Sequence, residues 1–127
     1  MFKNILIIGC GMIGSSILRG AISQKLCKSI YVFEKNNKYK KQIKKINKKI
    51  ILIKKLDKEI NKMDLIIIST PMSEYEKIIL NLNKNLSGKT LITDVGSTRA
   101  NVAKLIKEKL SKKLNWIMSH PISGSEA

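Results

Sequence analysis

The stretch that most constrains this chain is Ile5 to Gly14, ILIIGCGMIG. Four apolar residues run into Gly9, Gly11 and Gly14 at GxGxxG spacing, and Ile17, Leu18, Ala21 and Ile22 follow at helical intervals. A buried strand, a tight turn and a helix start, in that order, make a dinucleotide-binding crossover. Gly9 permits a turn that a Cβ would block, Gly11 lets a pyrophosphate approach the backbone, and Gly14 lets the helix pack closely on the strand. The phosphates would lie on unpaired N–H groups at the helix N-terminus, where the dipole favours negative charge. Cys10, Met12 and Ile13, set between the glycines, belong to the same expected cofactor contact.

Further apolar runs follow at the spacing of an alternating β/α chain. Ser29–Glu34 alternates like a strand and ends in Glu34, twenty residues past Gly14. An acid at that place accepts hydrogen bonds from the adenosine ribose hydroxyls and repels a 2′-phosphate, which favours NAD over NADP. Lys35 and Lys38 follow it and soften that discrimination. The lysine-dense segment Asn36 to Lys49 carries Tyr39, Ile43 and Ile46 as a thin helical stripe. Ile50 to Ile53 is expected as an edge strand, and Leu56 to Met63 as a polar connector with a turn of helix. Asp64 to Thr70 (DLIIIST) is a strand buried on both faces, stopped by Pro71. Ser69, Thr70 and Pro71 should therefore edge the cofactor cleft, because open α/β sheets bind ligands at the carboxyl ends of their strands.

Ser73 to Leu86 is expected as a helix, with Ser73 and Glu76 forming a capping box. Thr90 to Val95 is a fifth strand, and Ser97 or Thr98 begins a helix carrying Val102, Leu105, Ile106 and Leu110. Asn115 to Ser119 is a sixth strand. Six strands alternating with helices predict an α/β doubly wound (Rossmann) parallel sheet in the order 3-2-1-4-5-6, with right-handed crossovers.

A length of 127 residues gives one domain, short for a complete two-substrate enzyme. The net charge of +16 is almost all lysine, Arg19 and Arg99 being the only arginines. Lysine, isoleucine and asparagine abound together, as A/T-rich codons produce. An aromatic content of 5% supplies few rings for base stacking, so specific nucleic-acid binding is not expected. Cys10 and Cys27 lack metal or redox spacing and are expected as reduced thiols of a cytoplasmic protein. The apolar run near the N-terminus is too short for a signal peptide, and no stretch spans a membrane.

Two strand ends carry the remaining chemistry, DVGSTR (Asp94 to Arg99) and SHPISGSE (Ser119 to Glu126). His120 is the only histidine, and a histidine at the ligand-side end of a strand is a residue type that can take a proton near neutral pH. Ser97 can cap a helix and still offer its hydroxyl to a ligand. Asp94 is expected to hold the loop's backbone, and Glu126 to orient or gate a ligand. No metal site is expected, since the single histidine has no partners at ligand spacing.

Taken together, GCGMIGSS, STP, DVGSTR and SHPISGSE resemble the prephenate/arogenate dehydrogenases of tyrosine biosynthesis. The resemblance covers this whole chain and the family's N-terminal cofactor domain. It implies an NAD-dependent oxidative decarboxylation of prephenate to 4-hydroxyphenylpyruvate or of arogenate to tyrosine. It implies that His120 accepts the proton of the ring 4-hydroxyl, that Ser97 hydrogen-bonds that hydroxyl and His120, and that Glu126 lines the substrate pocket. Arg99 stands where lysine is common in the family, and Ser123 where alanine is frequent. The family continues past the position of Ala127 into a helical domain that dimerises and supplies a carboxylate-binding arginine. Residues 1–127 are thus expected as a cofactor domain, inactive alone, ending at the start of the HPxxGSE segment. Another NAD(P) oxidoreductase of Rossmann type and a non-catalytic NAD-sensing module are the alternatives.

Overall fold

Alternation along the first strand sets the architecture. In the structure, a computed structural model that describes residues 2–9, 11–95 and 99–118, β1 spans Phe2–Ile8. Its Ile5 and Ile7 enter one apolar cluster and its Leu6 and Ile8 another, because successive strand side chains point to opposite faces. A strand so buried must be covered by helices on both sides. The chain continues through α1 (Met12–Ser23), β2 (Cys27–Phe33), α2 (Asn37–Ile46), β3 (Ile51–Leu52), β4 (Leu65–Ile68), α3 (Tyr75–Asn85), β5 (Leu91–Asp94), α4 (Arg99–Lys109) and β6 (Asn115–Met118). The sheet order is β3-β2-β1-β4-β5-β6, and every pairing is parallel. This is the doubly wound order expected from the sequence.

The two faces divide the helices between them. Leu18 and Ala21 of α1 and Ile43 of α2 pack with Ile5 and Ile7, while Ile78 and Leu82 of α3 and Val102 of α4 pack with Leu6 and Ile8. β4 repeats the alternation, with Ile66 and Ile68 on the α3–α4 side and Leu65 and Ile67 on the other. α2 stays helical despite its lysines because Asn36 caps it, its Oδ1 accepting from the Lys38 and Tyr39 N–H groups at 2.9 and 3.2 Å.

Several boundaries differ from the sequence expectation. β2 begins at Cys27, not Ser29, because β1 already pairs from Phe2 and aligns Phe2 with Cys27; it ends at Phe33, leaving Glu34 just past the strand. The expected capping box of Ser73 and Glu76 does not form. Met72–Glu74 is a 3-10 turn closed by the Glu74 N–H on the Pro71 carbonyl at 3.0 Å, and α3 starts only at Tyr75, with no side-chain cap. The polar connector before β4 contributes to the core: its 3-10 turn Lys58–Lys62 buries Ile60, and Met63 follows it inside. The third, fourth and fifth strands are each shorter than expected. Asp64, expected inside the fourth strand, instead accepts the Lys3 and Asn4 N–H groups at 2.6 and 2.9 Å on its carboxylate, anchoring the start of β4 to β1.

Ile66 is fully buried on an interior strand of the larger cluster. Ile66→Ala is expected to cost about 2–5 kcal/mol of unfolding free energy, read as a lowered urea midpoint with an unchanged slope.

Candidate cofactor site

β1, β2 and β4 end in register, Ile8 pairing with Phe33 on one side and Ile68 on the other. The turn that leaves β1 is fastened to both neighbours. The Gly9 N–H donates to the Phe33 carbonyl at 2.8 Å, the Ser69 N–H donates to the Ile8 carbonyl at 2.9 Å, and the Ser69 hydroxyl donates to the Gly9 carbonyl. Gly9 adopts φ +85°, and a Cβ there would meet Thr70 Cγ2 at 2.6 Å. A Cβ on Gly14 would lie 2.5 Å from the Gly9 carbonyl oxygen and 2.7 Å from Ser69 Oγ. A Cβ on Gly11 would meet nothing within 4 Å among the described residues. Two glycines are thus required by the protein's own packing, and the third borders open space.

That space is a cavity of about 760 Å³, within the range of pockets that hold cofactors. Gly9, Gly11, Glu34, Ser69, Thr70 and Pro71, all expected from the sequence, line it. Met12 and Ile13 open α1, and Gly14 is buried against the turn. Thr70 Oγ1 is buried with no hydrogen-bond partner among the described residues. An unpaired buried hydroxyl costs about 1–3 kcal/mol, a cost that a polar ligand atom would offset. Residues, space and the lone hydroxyl all fit a dinucleotide.

The opposite wall had no signature in the sequence. Leu56, Lys77 and Ile78 line it; the last two lie on α3, whose first turns must flank a cleft at the end of β4. Tyr39, expected only in the apolar stripe of α2, lines the cavity as well. Glu34 accepts the Asn36 N–H at 3.0 Å on Oε2, which holds the carboxylate near the start of α2. Across the mouth, Lys35 Nζ lies 3.0 Å from Glu74 Oε1. The bond and charge of Glu74 raise the Lys35 ammonium above its ordinary value, and those of Lys35 hold the Glu74 carboxyl below its own.

Asp94, at the carboxyl end of β5, is buried and accepts from Trp116 Nε1 at 3.0 Å and from the Tyr75 hydroxyl at 3.3 Å. It therefore fastens α3 and β6 to β5; its expected hold on the following loop concerns residues outside the described ones. So do the expectations placed on Cys10, Ser97, Thr98, Ser119, His120, Ser123 and Glu126. The described strands that precede Ser97 and His120 end side by side, Asp94 aligned with Met118. Cys27 is half-buried, and burial pushes its thiol above the ordinary value. Among the described residues no helix is long and apolar enough to cross a membrane.

A model of the family described as prephenate dehydrogenase, nucleotide-binding domain, matches residues 20–127. The chain belongs to this family. The match starts beyond the glycine turn, so the turn is an independent observation. The chain is 33% identical to a prephenate dehydrogenase of Lactococcus lactis over 97% of its own length and 35% of that protein's. It is 24% identical to a cyclohexadienyl dehydrogenase of Zymomonas mobilis over 99% of its length and 43% of the relative's. It therefore spans less than half the length of the curated relatives it matches. The structure of prephenate dehydrogenase from A. aeolicus in complex with hydroxyphenyl propionate and NAD+ superposes over the whole chain and 44% of that protein, with a TM-score of 0.79 and 24% identity; this likeness is one of fold.

The glycine geometry separates two substitutions. Gly14→Ala drives a Cβ into the Gly9 carbonyl and is expected to lower stability by about 1–3 kcal/mol. Gly11→Ala meets no described residue and is expected to change it by less than about 1 kcal/mol. Paired thermal melts of the two variants check the difference.

Proposed function

We propose that this chain is the NAD-binding domain, residues 1–127, of a prephenate or arogenate dehydrogenase. The observation that carries the proposal is a cavity bounded by the glycine turn and by Glu34, in a chain of this family. The turn from Gly9 to Gly14, with Cys10, Met12 and Ile13, receives the pyrophosphate at the head of α1. Glu34 accepts the ribose hydroxyls, and Ser69, Thr70 and Pro71 bound the cleft beside them. Thr70 Oγ1 gains the partner that the described residues do not supply.

The reaction is an oxidation of the ring 4-hydroxyl coupled to loss of carbon dioxide. Bound NAD supplies the hydride acceptor. His120 accepts the hydroxyl proton, as a base of near-neutral pKa can; Ser97 hydrogen-bonds the same hydroxyl and holds it toward His120; Glu126 lines the substrate pocket. The described strands leading to Ser97 and His120 are neighbours, which supports a shared target for the two. Aromatisation drives the step, so the residues have only to align the hydroxyl, the base and the cofactor. Prephenate and arogenate both carry that hydroxyl and both fall within the proposal. The enzyme is cytoplasmic, acts on a small molecule without specific nucleic-acid or membrane binding, and dimerises through parts of the family's length outside residues 1–127.

Calorimetric titration tests the cofactor half. The chain is expected to bind NAD saturably, and Glu34→Ala to weaken binding about 10–100-fold through loss of charged hydrogen bonds; a chain that binds no NAD overturns the reading. For the catalytic half, the protein translated from the whole reading frame is assayed for prephenate- or arogenate-dependent NADH formation. His120→Asn is expected to slow it about 10²–10⁴-fold. Residues 1–127 alone are expected to form no NADH, and turnover by this chain would refute the proposed division of labour.

A further inference from the structure

The mouth of the cavity is electrically balanced in a chain that is not. Lysine and arginine total 25 against 9 aspartates and glutamates, nearly three cations for each anion. Yet among the described residues the charged groups lining the cavity are Glu34, Lys35, Glu74 and Lys77, two of each sign. Their arrangement has a consequence for which dinucleotide the site takes.

Glu34 and Lys35 are consecutive at the end of β2, where this fold meets the adenosine ribose. An acid there suits a free 2′-hydroxyl, and a cation there suits a 2′-phosphate. This chain places both side by side, so selectivity depends on which one reaches the ribose. Lys35 is engaged elsewhere: its Nζ lies 3.0 Å from Oε1 of Glu74, which lines the same cavity from another element. Glu74 is fixed at the head of α3 by the 3-10 turn that follows Pro71, a place where the helix dipole favours a carboxylate. Lys77 stands three residues further along and lines the same cavity.

We propose that Glu74 is a positioning residue for Lys35 and thereby sets cofactor selectivity: by holding the ammonium on its own carboxylate, it denies a 2′-phosphate its cation and keeps Glu34 the nearer charge to the ribose. The proposal deepens the reading of the cavity as an NAD site and rests on it. A phosphorylated ribose would have to take Lys35 from Glu74 and meet the Glu74 charge as well. Both side chains are partly exposed, at 58% and 38%, so the pair adds little to stability. Its effect is on the sign of the field at one point.

The test is calorimetric titration of the full chain with NAD and with NADP at low ionic strength, where exposed charges are least screened. Glu74→Gln is expected to raise the ratio of NADP to NAD affinity about fivefold, the scale of one exposed charge a few ångströms away. Glu74→Asp, which keeps the charge, is expected to return most of the wild-type ratio. The double variant Lys35→Ala, Glu74→Gln is expected to lose the gain, because the gain runs through the released ammonium. A ratio unmoved by Glu74→Gln, or a rise that survives without Lys35, overturns the proposal while leaving NAD binding intact. A wild-type chain that binds neither dinucleotide removes the cofactor reading itself, and this proposal with it.

Discussion

The contact between Gly14 and the Gly9 carbonyl is the constraint on which the rest of the structure depends. It sets how near α1 can come to the carboxyl end of β1, and no side chain larger than hydrogen fits between them. The turn that results is fixed from both sides, by the Phe33 carbonyl of β2 and by Ser69 at the end of β4. A motif commonly treated as a ligand signature is here first a packing requirement. Of the three glycines of the turn, Gly11 is the one at which a Cβ would meet no described residue.

The same sheet edge is organised from its far end. Asp64 accepts two N–H groups from the start of β1 and fixes where β4 begins. With the start pinned and the register parallel, Ile8, Phe33 and Ile68 must finish together, and the loops after them must open on one cleft. Asp94 repeats this on the other half of the sheet, tying β5 to β6 through the Trp116 indole and to α3 through the Tyr75 hydroxyl. Carboxylates with named donors, the half-buried Asp64 and the buried Asp94, thus help to align the strand ends.

Much of this was legible in the sequence, and what was not has identifiable causes. Strand order followed from apolar runs of strand length alternating with helical periods, and the near wall of the cavity followed from the glycines and from STP. Local signals misled where two local structures compete for the same residues. Ser73 and Glu76 have the spacing of a capping box, but the Pro71 carbonyl closes a 3-10 turn first. Ile60 and Met63 lie among lysines and an aspartate, so no periodicity marks them as core, although both are buried. The partnership of Lys35 with Glu74 spans 39 residues and exists only because β2 and the turn after β4 end on the same edge.

Charge shows why such a pairing matters more than its small contribution to stability. A chain with a net charge of +16 surrounds itself with a positive potential that draws in anions and concentrates them near its surface. That field does not discriminate in the desired direction, because between two dinucleotides it favours the one with the extra phosphate. Any preference for the unphosphorylated form must therefore be made locally, within a Debye length of the ribose, and against the long-range attraction. Two of the nine acids line the cavity, Glu34, proposed to meet the ribose, and Glu74, paired with the neighbouring lysine, and the proposed pairing is a local answer of that kind. On the proposed reading, the basic surface favours encounter while the charges lining the cavity decide what stays.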